Sequence, residues 1–413
     1  MSNFLFDKDT WQEIYESIRK NKTRTAITIF GVMWGVFLLV VLLGAARGME
    51  NSFNRMFGDF ATNSVFVWGQ STSKPFSGYQ TGKRVAVYST DLPYIKNLPG
   101  VDMVLPRNRW TSQVVFRENI INEPIFGDYP ELDLVQKKHM VKGRFINQSD
   151  MDNKKKVCVI EDQIYQQLFP VGEDPIGQLL KINDVNYKIV GLYKNKQEMG
   201  GPGGSIHIPF KTFQQMYSWG NEVTWFTITG KPTVDIKQLE SDVKLLLKNL
   251  HGVHPEDDMA YGSFNMGERF EKMNGFLVGM KFLTWFVGIA TLIAGVFAIG
   301  NILLITVKER TQEIGVRRAL GAKPGEIRRQ IILESIFLTT IAGTLGIISG
   351  GLILMLLDRM VGQGPDATLV NPSVDIPTIL IAFTIMMVMG TLIGMIPAQI
   401  AISVKPIDAL REE

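Results

Sequence analysis

Cysteine is nearly absent: Cys158 stands alone in 413 residues, so no disulfide can form within the chain. An extracytoplasmic domain of a few hundred residues is stable without one. Histidine is scarce, with four residues. His251 and His254 lie three apart, with Asp257 and Asp258 behind them, yet Gly252 and Pro255 mark a loop and no further ligand follows. A metal site there is disfavoured. His139 and His207 stand isolated and read as surface or packing residues. No Gly-x-Ser-x-Gly, His-Glu-x-x-His or phosphate-cradling Gly-x-x-x-x-Gly-Lys-Ser/Thr occurs. The glycine-rich Gly200 to Gly204 lacks the Lys-Ser/Thr such a loop needs and reads as mobile. The chain therefore offers no basis for catalysis, a bound metal or its own nucleotide chemistry. A formal net charge of +3 is too small to argue for nucleic acid.

Charge is missing most conspicuously from four apolar runs: Thr25 to Ala46, Phe282 to Val307, Ser335 to Leu357 and Ile376 to Val404. Each is long enough to cross a bilayer, which takes about 20 residues. Gly44-Ala45-Ala46 after a basic flank resembles a signal-peptide cleavage site, but the first run exceeds a secretory apolar core, so an uncleaved anchor is expected. Lys and Arg concentrate before the first run, between the second and third, and after the fourth. Both termini and the second loop are therefore expected to be cytoplasmic. The expected order is a cytoplasmic segment 1–24, span 25–46, extracytoplasmic domain 47–281, span 282–307, cytoplasmic loop 308–330, span 331–357, short outer loop 358–375, span 376–404 and tail 405–413. Trp11, Ile14, Tyr15 and Ile18 repeat at helical spacing, either as a helix on the inner membrane face or as an extension of the first span.

Ionisable residues are absent from the span cores; Lys281 and Glu334 sit at edges. Ion-coupled transporters need such groups at depth, and no polar broken-helix pair marks a substrate site. A secondary transporter or channel is thus poorly supported. What the spans do hold is glycine at four-residue spacing: Gly31 and Gly35, Gly346 and Gly350, Gly390 and Gly394. Such pairs let helices approach closely, within the chain or across a dimer.

The stretch between the first two spans reads as α+β. Lys156 to Ile160 suggests a buried strand in which Cys158 packs. Glu161 to Phe169 and Val234 to Leu250 suggest helices. Leu179 to Tyr193 suggests a hairpin about Asn183-Asp184, and Ile206 to Pro209 a strand end. Asp150 to Lys156 reads as a solvated turn. Helical spacing in Gly48 to Phe60 and Ser263 to Met280 predicts stalk helices at both ends of the domain.

The segment Lys308 to Arg329, KERTQEIGVRRALGAKPGEIRR, mixes cations with Glu309, Glu313, Ile314, Ala319 and Leu320. Glu313 and Arg317 form a favourable i,i+4 pair, Gly321-Ala322 stops the helix, and Pro324 with Glu326 begins the next. A rigid bump of mixed character reads better as a docking surface than as a topology signal alone.

This segment resembles the loop between spans two and three of the MacB/FtsX/LolC-type ABC transporter permease family. Thr23-Arg24-Thr25 leading to Gly31 and Gly35, Asp174-Pro175-Ile176-Gly177, Ile189-Val190-Gly191, Ile396-Pro397-Ala398 and Lys405 to Arg411 extend the resemblance over most of the chain. The resemblance implies a four-span, inner-membrane, MacB-like or FtsX-like permease with a periplasmic core domain, working as a homodimer or heterodimer. ATP and Mg would be bound by a separate cytoplasmic ABC ATPase, none by this chain. Coupling would run through Glu309, Arg310, Glu313, Ile314, Gly315, Arg317, Arg318, Ala319, Leu320, Gly321 and Ala322. The implied mode is mechanotransmission, used for efflux of a peptide, lipoprotein or toxic small molecule, with a periplasmic adaptor and outer-membrane factor as further partners. The alternative is an FtsX-like regulator of a cell-wall hydrolase or sensor kinase.

Overall fold

The computed structural model describes residues 12, 22–194, 204–362 and 369–403. The amphipathic segment around Trp11, the glycine-rich run before Gly204 and the tail from Lys405 lie outside the described residues. The longer helices are α1 (Lys22–Phe57), α2 (Ile236–Leu250), α3 (Met266–Glu309), α4 (Thr311–Ala319), α5 (Pro324–Val361) and α6 (Ile376–Ser403). The chain divides into two units, one of Met1–Ser52 with Phe276–Glu413 and the other of Phe53–Gly275.

In the first unit, α1, α3, α5 and α6 are each long and apolar enough to cross a membrane. Val32, Val36, Leu39 and Val40 repeat at helical spacing on α1. They bury against Leu292, Ile299 and Leu303 of α3, Leu338 and Ala342 of α5, and Met386 of α6. The glycines set the closest approaches. A Cβ on Gly346 would stand 2.6 Å from the Val36 side chain and 2.7 Å from the Met33 carbonyl. Gly350 faces Val40, Gly390 faces Thr339, Gly394 faces Ser335, and Gly35 faces the Thr291 backbone. Gly31 meets nothing within 4 Å. The Ser335 hydroxyl donates to the Gly390 carbonyl at 2.8 Å, a polar clasp between α5 and α6. Ion pairs stand at the helix ends: Arg24 with Glu309 (3.1 Å), Lys281 with Glu50 (3.2 Å), and Arg47 with Asp375.

The second unit is built on a ten-stranded mixed sheet. Its strands are β1 (Ser64–Gly69), β3 (Val101–Phe116), β4 (Asn119–Asp128), β5 (His139–Gly143), β6 (Val157–Glu161), β7 (Leu179–Ile182), β8 (Val185–Lys194), β9 (Ile206–Pro209), β11 (Trp225–Gly230) and β12 (Tyr261–Asn265). The short β2 (Val87–Tyr88) and β10 (Glu222–Val223) pair separately. The order β12-β1-β11-β3-β4-β9-β6-β8-β5, with β7 between β3 and β8, has parallel pairs only at β4–β9 and β6–β8. Val65, Val67, Phe226 and Ile228 bury one face of the first strands under Leu239, Val243 and Leu247 of α2. Cys158, Ile160, Ile189 and Ile208 join Ile164 and Phe213 in a second core.

β7 and β8 form the expected hairpin, with Asn183 (φ 45°) and Asp184 (φ 62°) at the turn. The solvated-turn reading of Asp150 to Lys156 needs correction at its first residue. Asp150 is fully buried, Arg144 Nη1 donates to it at 2.5 Å, and it completes a capping box with Asn147. The two lone histidines read as surface or packing residues each have a carboxylate neighbour. His139 lies 2.9 Å from Asp59, and His207 is fully buried against Asp128.

Candidate coupling surface and outer-domain cavity

α3 ends at Glu309, where Arg310 leaves helical geometry (φ −102°, ψ 13°) and starts α4. Thr311 to Ala319 then form one short helix. Gly321 closes it at φ 100°, a conformation open to glycine and strained for other residues. Lys323 starts α5, its amide donating to Glu326 at 3.2 Å. The turn is pinned on several sides. Arg310 Nε and Arg317 Nη2 reach Glu313 at 3.0 and 2.6 Å. Arg318 Nη1 donates to the Ile402 carbonyl near the end of α6 at 2.8 Å. Ile314 packs on Val307, Ile327, Ala398 and Ala401. Arg24 of α1 reaches Glu309. Residues of α4 thus bond or pack against α3, α5 and α6, and α1 joins at Glu309.

The outward side of this turn carries Val316 (42% exposed), Ala319 and Leu320 (83% exposed) beside Glu313. Gly315 is buried, while Arg317, Arg318 and Ala322 are half-buried. Val316, Ala319 and Leu320 together form a small exposed apolar patch on a braced element, which suits contact with a partner.

The sequence reading missed a second feature, in the second unit. Trp225 stands opposite Arg107, Arg109 opposite Phe126, and Phe126 opposite His207 in the strand register. Phe264 pairs with Phe66. Alternation along the strands puts these residues on one sheet face, the reverse of the face buried by α2. The result is a cavity of about 540 Å³ lined by aromatic rings and the side chains of Arg107, Arg109 and Lys138.

Behind it runs a buried polar network. Arg107 Nε lies 2.6 Å from Asp128, whose other oxygen is 2.5 Å from His207 Nδ1. His207 Nε2 lies 2.9 Å from the Tyr193 hydroxyl, which is 3.0 Å from Glu161. Burial works to raise the Asp128 pKa, but the Arg107 cation and the His207 hydrogen bond outweigh it and hold the carboxyl below its ordinary range. Burial, seconded by the Lys138 charge, pushes His207 down to about 4. Burial and the Arg107 cation push Lys138 down to about 7. At neutral pH His207 is therefore uncharged. The histidine loop forms no metal cluster among the described residues. Asp257 instead accepts from the Ser73 and Lys74 amides at 2.7 and 3.0 Å, and His251 contacts Asp91 at 2.9 Å.

Four membrane-length helices with an α+β domain inserted between the first and second make the architecture of a multi-pass membrane protein. The family described as MacB-like periplasmic core domain matches residues 25–246, and the one described as FtsX-like permease C-terminal matches residues 285–406. The chain belongs to the MacB/FtsX-like permeases of ABC transporters, proteins of the inner membrane. It is 26% identical over 404 residues to the macrolide export ATP-binding/permease protein MacB of Bdellovibrio bacteriovorus, covering 97% of this chain and 61% of that one. It is 26% identical over 420 residues to the pyoverdine export ATP-binding/permease protein PvdT of Pseudomonas syringae pv. syringae, covering 98% and 61%. The chain thus spans about 61% of the length of these curated relatives. The periplasmic region of MacB from Actinobacillus actinomycetemcomitans aligns with a TM-score of 0.44 at 16% identity, over 52% of this chain and 95% of that one.

Proposed function

We propose that this chain is the permease part of an ATP-driven exporter working by mechanotransmission. An ABC ATPase domain docks on Glu309 to Ala322 from the cytoplasm, binds ATP and Mg, and performs the hydrolysis. This chain contributes no catalytic group. Two permease copies, identical or homologous, assemble so that nucleotide-driven motion enters at α4 and leaves through the outer domains. Both chain termini lie on the ATPase side. The cargo is a peptide, lipoprotein or toxic small molecule taken from the periplasmic side, with an adaptor and outer-membrane factor completing the path.

One observation carries the reading: the end of α4 presents Leu320, the residue that caps it, outward while Arg318, Ile314 and Glu309 join the turn to the membrane helices. A push on such an element moves the helix ends rather than bending a loop. Support also comes from the relatives, whose names pair ATP binding with export. Among the described residues Glu334, at the edge of its span, is the one buried ionisable group in these helices, and a single such group makes no pathway for another energy source.

The test is co-purification of the tagged chain with its ATPase. Leu320→Asp, and separately Glu313→Lys combined with Gly315→Arg, should lose the ATPase while remaining folded. Gly315 is buried, so the exposed Leu320→Asp is the decisive variant. Retention of the ATPase by folded Leu320→Asp would reject the docking assignment.

A further inference from the structure

The aromatic cavity of the outer unit plays no part in docking at α4. We propose that it is a binding site for an amphiphilic carboxylate, with the anionic group at Lys138 and the apolar body among Phe60, Phe66, Trp68 and Trp225.

Its volume of about 540 Å³ falls in the range of small-molecule sites. Its walls give two unlike chemistries. One side is aromatic and apolar. The other carries Arg107, Arg109 and Lys138, and among the described residues no Asp or Glu lines the space. Arg107 is already matched by Asp128. Lys138 is different. It is 6% exposed, its backbone amide donates to the Asp133 carboxylate, and its ammonium lies 5.2 Å from the Tyr193 ring centre. Among the described residues no carboxylate lies within ion-pair distance of its Nζ. A buried ammonium without a bonded anion is costly, and a ligand carboxylate is the group that removes the cost. Arg109, exposed at the cavity's edge over the Phe126 ring (5.7 Å), adds a second attraction for an entering anion. Asp128, Glu161 and Asp133 act on the Lys138 charge without forming an ion pair with it, and a cationic or purely apolar ligand would add nothing to them.

The inference goes beyond the coupling reading and is tested without any ATPase. Full-length chain in lipid nanodiscs is loaded with 1-anilinonaphthalene-8-sulfonate, and empty nanodiscs provide the background. Octanoate and 2-naphthoate compete, against 1-octanol and octylamine as neutral and cationic controls. Both acids should displace the dye roughly ten- to a hundredfold more tightly than the controls, the strength of one charge-assisted hydrogen bond. Tighter octanoate assigns an acyl-chain ligand, and tighter 2-naphthoate an aromatic acid. Lys138→Met should erase the preference for acids over octanol, and Arg109→Gln should weaken it less. Equal displacement by octanol and octanoate in the unaltered chain overturns the proposal. So does displacement by none of them, or a folded Lys138→Met that still prefers octanoate.

Discussion

Lys138 and His207 share one buried face with Asp128, Glu161 and Arg107, and each titrates away from its ordinary range in a direction that fixes a pH dependence. Lys138 moves from 10.5 in the unfolded chain to about 7 in the folded one. Between those values the unfolded chain keeps the proton and the folded chain has released it. The outer unit should therefore gain stability as pH rises from 7 toward 10, and carry the full penalty below 7. Melting followed by tryptophan emission at pH 7 and pH 9 measures this. Lys138→Met should flatten the difference and raise stability at pH 7, on the order of 1–3 kcal/mol. His207 falls from 6.5 to about 4, so stability should also drop as pH falls from 6.5 toward 4, as the unfolded chain takes up a proton the folded chain refuses. A second residue-level outcome follows from Gly127, where a Cβ would stand 2.6 Å from the buried Phe213 side chain. Gly127→Ala should cost about 1–3 kcal/mol by overpacking, read as a lowered melting midpoint. Of these residues the sequence revealed little. His207, Asp128, Arg107 and Tyr193 come from separate strands, and only the sheet register brings them together. Cys158, by contrast, was legible, because an isolated cysteine in a run of valine and isoleucine has few roles besides packing.

At the scale of elements, legibility follows the range of the interactions that make each element. The four long helices declare themselves, since twenty apolar residues in succession are a local signal. So do α4 and its stop, where Gly321 and Pro324 act within one turn. The hairpin β3–β4 does not. Its register closes on Phe116 and Asn119 around Arg117, which adopts φ 53° without glycine or asparagine to announce it. Pro106 and Pro124 within its strands argue against a strand reading, and long-range pairing overrides them. The glycine pairs were legible as packing devices, though the structure treats them unequally. Gly346→Leu should force α5 away from α1, because the added atoms would meet the Met33 carbonyl and Val36. A clear fall in the thermal stability of the reconstituted protein is expected, on the order of 2–4 kcal/mol. Gly31→Leu enters open space in the single chain and should leave that midpoint unchanged. If Gly31→Leu destabilises as much as Gly346→Leu in a monomeric preparation, the helix arrangement is wrong.

For the whole molecule, docking and transmission are separable, and different residues of one short helix and its cap should separate them. Leu320 is exposed and makes the case for docking, whereas Arg318 reaches back to the Ile402 carbonyl and makes the case for transmission. The native chain suits a direct test. Its sole cysteine is buried, and burial raises the thiol pKa far above its ordinary value, so it stays inert to labelling at neutral pH. Val171 is fully exposed on the outer unit, and Val171→Cys should accept a spin label alone. Two permease copies then give one label-to-label distance, compared with and without a non-hydrolysable ATP analogue on the bound ATPase. A nucleotide-dependent shift is expected in the labelled parent. Leu320→Asp should lose both ATPase binding and the shift. Arg318→Ala should keep the ATPase and reduce the shift, since the domain still docks but pushes on a turn that has lost its hydrogen bond to α6 and keeps only packing such as that of Ile314. An Arg318→Ala protein with the parent's full shift would place transmission elsewhere on the turn. An unchanged distance in the parent, with the ATPase bound and occupied by the analogue, would mean that nucleotide binding does not move the outer domains, and the exporter reading would fall with it.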